Sequence, residues 1–151
     1  MKISFASKKD KKQLLKYFGF YRDADYSAAR VDYFLKYGKT IIAKENREII
    51  GLMQWHVKEN PNHGLAEIEE VFVYGAYRGK GVATKLLKFV TKSIRAHFRE
   101  KKIRARKVFL FVLKKNKVAR RLYEKAGFRK VASVGELFED KKKDLLYALD
   151  L

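Results

Sequence analysis

Val71-Phe72-Val73-Tyr74-Gly75-Ala76-Tyr77-Arg78-Gly79-Lys80-Gly81-Val82-Ala83-Thr84 runs from an apolar strand through a short loop and a glycine-rich turn into a helix. Glycines at a helix start let backbone N–H groups close on a phosphate, and the helix dipole favours the negative charge. Two familiar phosphate loops do not fit. A P-loop needs four residues between its first glycine and Gly-Lys, then Ser or Thr, whereas Gly75 and Gly79 enclose three and Gly81 follows Lys80. A dinucleotide fingerprint beginning at Gly79-Lys80-Gly81 would put its third glycine where Thr84 stands.

Outward from this turn the pattern is that of one domain over residues 1–151. Lys2–Ala6 alternates as a first strand, and Ser7 offers an N-cap side chain, with Asp10 favourable to the dipole, for a helix burying Leu14, Leu15 and Phe18. A second helix over residues 27–37 ends at Gly38. Thr40–Ala43 and Ile49–Val57 form a hairpin about the turn at residues 45–48, and Ala66–Val73 is the next strand. From Val82 to Glu100, Leu86, Leu87, Val90, Ile94 and Phe98 recur at helical spacing, with Lys85, Lys88, Lys92, Arg95 and Arg99 on the opposite side. Val108–Leu113 is apolar without alternation, as in a central strand covered on both faces. A helix over Asn116–Lys125 closes at Gly127, and strands near 128–134 and 145–149 finish the chain. The order β-α-α-β-β-β-α-β-α-β-β predicts an α+β domain around a mixed, mostly antiparallel sheet flanked by helices.

Composition narrows the chemistry. The 151 residues contain no cysteine, which removes thiolate nucleophiles and cysteine zinc sites, and His56, His63 and His97 lack metal-ligand spacing, so no metal is expected. Apolar runs fall well short of the ~20 residues of a membrane span, and the N-terminus lacks a signal-peptide core. A soluble, cytoplasmic chain is the expectation. Net charge is +19, and residues 78–130 hold 20 of the 36 Lys and Arg against only Glu100 and Glu124. That stretch should attract an anion such as a polyphosphate or a nucleic acid. For residues 85–107 a solvated helix face is preferred over a nucleic-acid module, because no aromatic-basic RNA-binding motif accompanies the charge.

Arg78-Gly79-Lys80-Gly81-Val82-Ala83 resembles the acyl-CoA signature Gln/Arg-x-x-Gly-x-Gly/Ala of the GNAT superfamily of N-acetyltransferases. Asn116-Lys117-Val118-Ala119-Arg120-Arg121-Leu122-Tyr123-Glu124-Lys125-Ala126-Gly127-Phe128 is similar to the family's second block, Asn-x-x-Ala-x-x-Leu-Tyr-x-x-x-Gly-Phe. The element order agrees as well. The resemblance implies an acyl-CoA N-acyltransferase fold, with acetyl-CoA as co-substrate held by Val71, Phe72, Val73, Arg78, Gly79, Lys80, Gly81, Val82, Ala83, Thr84 and Asn116. It further implies that the strands ending at Val73 and starting near Val108 splay around pantetheine. An N–H near Phe72 would polarise the thioester carbonyl, a donor worth about 3–4 kcal/mol.

Tyr123 would protonate the departing thiolate, and its neighbours Arg120 and Arg121 favour that role; a core tyrosine beside an N-capping Asn116 is the structural alternative. For the base, Glu69 comes first and Glu67 second among Glu67, Glu69 and Glu70; alternation puts Glu67 and Glu69 on one face. An acidic surface strand paired with lysines is the competing reading.

The resemblance places the acceptor among Tyr21, Asp23, Asp25 and Tyr26, then Glu67, Glu69 and Glu70, then Glu136, Glu139 and Asp140, an acidic set suited to a cationic amine. A small, polyamine-like molecule is favoured; a lysine, a protein N-terminus, a ribosome-associated role and a homodimer stay open.

Overall fold

The computed structural model describes residues 1–18, 24–138 and 141–151. Among these, the elements follow as β1 (Lys2–Phe5), α1 (Lys11–Phe18), α2 (Ala24–Lys36), β2 (Lys39–Glu45), β3 (Glu48–Val57), β4 (Leu65–Val73), α3 (Val82–Glu100), β5 (Lys107–Leu113), α4 (Lys117–Lys125), β6 (Arg129–Gly135) and β7 (Lys143–Asp150). This is the expected order. The strands form a mixed sheet, β1-β2-β3-β4-β5-β7-β6. The β4–β5 pair is parallel, whereas β1–β2, β2–β3, β5–β7 and β6–β7 are antiparallel. No helix among the described residues is long and apolar enough to cross a membrane.

Two compact units divide the chain, residues 1–56 with 70–90 and residues 57–69 with 91–151. In the first, β2 and β3 are joined at a two-residue turn in which Asn46 and Arg47 both take positive φ, 48° and 69°. Such a turn matches the right-handed twist of the flanking strands. The core gathers Leu14, Tyr17 and Phe18 of α1 with Val31, Ile42, Ile49 and Leu52. Leu15, expected in that core, is only partly buried. Positions 14, 17 and 18 make the 0, 3, 4 stripe of a helix, and residue 15 lies about 100° round from it.

The start of α1 also departs from expectation. Ser7 does cap the chain, but through Asp10: the Asp10 carboxylate accepts from the Ser7 N–H at 2.8 Å and from the Ser7 hydroxyl at 3.1 Å. Lys44 from β2 donates to the other oxygen. Burial pushes the Asp10 carboxyl up, yet the Lys44 and Ser7 hydrogen bonds outweigh it and hold the group below its ordinary range. A depressed carboxyl stabilises the fold above its unfolded-state value, and that contribution vanishes as pH falls through the folded-state one. Asp10→Asn should therefore cost roughly 2 kcal/mol near neutrality, or about 4–8 °C in Tm. Melting curves of the two proteins should converge below the ordinary carboxylate range. A constant gap down to strong acid would contradict this account.

In the second unit β5 pairs with β7 along its whole length, from Lys107↔Asp150 to Leu113↔Asp144. Its parallel register with β4 covers only Leu65↔Lys107 through Ile68↔Leu110, although β4 itself runs on to Val73. Equal cover on both faces of β5 is not observed: Val108, Leu110 and Val112 are buried, while Phe109 and Phe111 are half-buried. An unbroken apolar run conceals this alternation because phenylalanine is as apolar as valine. The two rings instead meet edge to face at 6.4 Å, and Phe111 meets Phe138 at 5.6 Å.

Gly64 ties the loop before β4 to the loop before β5. Its carbonyl accepts from the Arg106 and Lys107 N–H groups at 2.9 and 3.3 Å. Only glycine serves here: φ is +66°, and a Cβ would lie 2.0 Å from the Arg104 carbonyl oxygen.

Candidate functional site

The glycine turn lies wholly in the first unit. After β4, a 3₁₀ turn over Gly75–Tyr77 is followed by Arg78, whose Nε donates to the Val73 carbonyl at 3.0 Å. Gly79 and Gly81 then adopt φ of +75° and +76°. The first intrahelical bond of α3 runs from the Lys85 N–H to the Gly81 carbonyl at 3.1 Å. The amides of residues 79–84 consequently have no backbone acceptor among the described residues. A helix always leaves its first N–H groups unsatisfied; here the two glycines extend that row backward into the turn. Nothing lies within 4 Å of the place a Cβ would occupy at Gly79 or Gly81. Arg78 and Lys80 are exposed beside the row, Lys80 over the Tyr77 ring at 5.6 Å. The turn thus offers open space, convergent donors and positive charge, which suits a diphosphate.

Val71, Phe72 and Val73 are half-buried, and Phe72 packs on Tyr17 at 4.1 Å and Tyr74 at 4.8 Å. Glu70, one residue earlier, has partners the sequence did not reveal. The Tyr17 hydroxyl donates to it at 2.8 Å, and Arg30 stands 3.8 Å from its second oxygen while stacking on Phe18 and Phe34. Tyr17 is 53 residues away, so no local spacing could connect the two.

Glu67 and Glu69 belong to the second unit. Their carboxylate oxygens lie within 4.8 Å of one another, on one face as alternation requires. Depth separates them: Glu67 is 8% exposed and pairs with Lys58 at 3.0 Å, whereas Glu69 is exposed. The hydrogen bond to Glu67 raises Lys58 above the usual lysine range, against the smaller opposing effect of burial. Lysine pairing thus accounts for Glu67, in part as the competing reading had it.

On α4, Asn116 is the N-cap, its Oδ1 accepting from the Ala119 N–H at 3.1 Å. Tyr123 is 3% exposed, packed between Phe128 at 5.9 Å and Tyr147 at 6.4 Å. Asn116 is exposed, so capping and burial give these two residues different surroundings despite their two-turn spacing. Arg120, expected to support Tyr123, instead donates to the Tyr147 hydroxyl at 3.3 Å and to the Lys114 carbonyl at 3.1 Å. The Tyr147 hydroxyl in turn donates to Glu124 at 2.6 Å. This clamp between α4 and β7 escaped sequence reading because its members are 23 to 27 residues apart. Of the expected acceptor residues, Asp25, Tyr26 and Glu136 are exposed, while Tyr21, Asp23, Glu139 and Asp140 lie outside the described residues.

Comparison with known proteins bears on the family and the fold. Residues 11–128 match the model of the acetyltransferase (GNAT) family. A curated relative, mycothiol acetyltransferase of Corynebacterium glutamicum (strain R), is 33% identical over 104 residues, covering 67% of this chain and 31% of the relative. The chain therefore spans about a third of that protein's length. An N-acetyltransferase from Staphylococcus aureus Mu50 superposes with a TM-score of 0.81 at 18% identity, over 99% of this chain and 97% of that one. An aminoglycoside 6'-N-acetyltransferase complexed with coenzyme A does so with 0.81 at 15% identity, over 99% and 97%. At these identities the structural likeness is one of fold.

Proposed function

The chain belongs to the GNAT acetyltransferase family, whose co-substrate is acetyl-CoA, and we propose that it acetylates a cationic small amine by direct attack. The row of unpaired amides over residues 79–84 carries this reading, because it supplies the diphosphate grip without which no acyl donor is held. Arg78 and Lys80 add charge beside that grip, and Asn116 keeps the start of α4 in place. When bound, acetyl-CoA supplies the acyl carbonyl that the amine attacks. Backbone N–H groups over residues 71–73 orient and polarise that carbonyl, and Tyr123 gives its proton to the departing thiolate. Holding both reactants in register supplies much of the remaining rate.

Lys58 already meets the Glu67 carboxylate at 3.0 Å, and the exposed Glu69 carboxylate within 4.8 Å of it attracts a cation; this supports a cationic acceptor. Glu69 is our choice of base because it is exposed and can meet an incoming amine, whereas Glu67 is 8% exposed. The test follows CoA release with polyamines, aminoglycosides, amino acids, and N-terminal or lysyl peptides. Turnover should be highest with a polyamine, and Glu69→Gln should lower kcat by about 10²–10⁴-fold. A preference for peptides would overturn the small-amine reading, and an unchanged kcat in Glu69→Gln would remove Glu69 as base.

A further inference from the structure

Residues 92–107 carry eight Lys and Arg against one acid, Glu100. Lys107 is neutralised, since Asp150 pairs with it and with Arg129. The other seven are exposed, and none forms an ion pair among the described residues. Lys92, Arg95 and Arg99 lie on one side of α3 at steps of three and four, spanning about 10 Å at 1.5 Å per residue. Ile94 and Phe98, on its other side, are buried. Lys101, Lys102, Arg104 and Arg106 continue the charge through the following loop.

The helix dipole accounts for cations in the last turn of α3, but not for Lys92, Arg104 or Arg106. Nor is the loop loosely held. The Ile103 N–H donates to the Phe98 carbonyl at 2.9 Å, the Arg106 N–H to Gly64 at 2.9 Å, and the Leu151 N–H to Arg106 at 3.0 Å. Seven like charges along residues 92–106, on pinned backbone and without an ion pair among the described residues, form a preorganised surface for a polyanion.

We propose that this surface binds double-helical RNA through its phosphates. A lipid surface fits poorly: a membrane-binding face needs apolar side chains beside its cations, and no exposed large hydrophobic residue falls between 91 and 107. Single strands call for stacking aromatics, which are likewise missing from the exposed positions of that stretch. A-form RNA draws the phosphates of its two strands together across a deep, narrow groove, so the Lys92, Arg95 and Arg99 row of about 10 Å, with the loop cations that follow it, meets several at once.

The test is fluorescence anisotropy with a short labelled RNA duplex, an equal DNA duplex, poly-glutamate as competitor, and vesicles containing anionic lipid. Four neutralised phosphates predict that affinity falls on the order of a hundredfold between about 50 and 200 mM salt. The triple variant Lys92→Ala, Arg95→Ala, Arg99→Ala should weaken RNA binding at least about tenfold while its melting temperature and acetyl-CoA binding stay unchanged. Lys8→Ala, Lys9→Ala, Lys12→Ala, exposed cations of the other unit, should change it less than about twofold. No RNA binding at the lower salt, equal loss in both triples, or equal or tighter binding to DNA, vesicles or poly-glutamate would each overturn the proposal.

Discussion

Gly81→Val should abolish acetyl-CoA binding and leave the fold standing. The positive φ of Gly81, +76°, makes any β-branched residue strained there, at on the order of 1–3 kcal/mol, too little to unfold a protein of this size. No atom lies within 4 Å of the new Cβ, so the side chain meets nothing of the protein itself. It occupies the space that a diphosphate needs in order to reach the amides of residues 79–84. Each amide bond to a charged oxygen is worth roughly 1.5–3 kcal/mol, so losing even two weakens binding by at least about a hundredfold. Calorimetry should show no heat with acetyl-CoA, alongside a cooperative melt. Gly75→Ala is the control, since its Cβ also meets nothing but the residue precedes the turn; it should bind normally. Undiminished binding by the Gly81 variant would place the diphosphate elsewhere.

Tyr123→Phe should have the second large effect, if the tyrosine gives its proton to the departing thiolate as proposed. Removing a general acid costs about 10²–10⁴ in rate, so kcat should fall by that amount while KM for acetyl-CoA moves little. The pH dependence of kcat should change as well, which simple repacking would not produce. The ring is held between Phe128 and Tyr147, and phenylalanine keeps that packing, so the variant should still melt cooperatively as a folded protein. If kcat is retained, Tyr123 is a packing residue and Asn116 merely a cap.

Long, strongly periodic segments were legible in the sequence. The bounds of α3 matched, and the β2–β3 hairpin formed where expected with a first strand that runs on to Glu45, because one helical face and one turn impose patterns over neighbouring residues. The glycine turn was legible for the same reason: its φ values and its row of unpaired amides follow from residues adjacent in the chain. Cover over β5 was not, since burial of each face depends on what packs there. The capping of α1 was half legible, for Ser7 and Asp10 are three apart, but Lys44 arrives from β2.

Local chemistry therefore determined the family signature, the element order and the glycine turn, all of which need only backbone propensity and short spacing. Tertiary structure alone decided which carboxylate stands in which company. Lys58 reaches Glu67, Tyr17 and Arg30 reach Glu70, and Arg120 goes to Tyr147 rather than to Tyr123. An ion pair or a hydrogen bond acts over a few ångströms of space, and distance along the chain carries no record of it. Which glutamate stands exposed to an incoming amine is thus a property of the folded molecule.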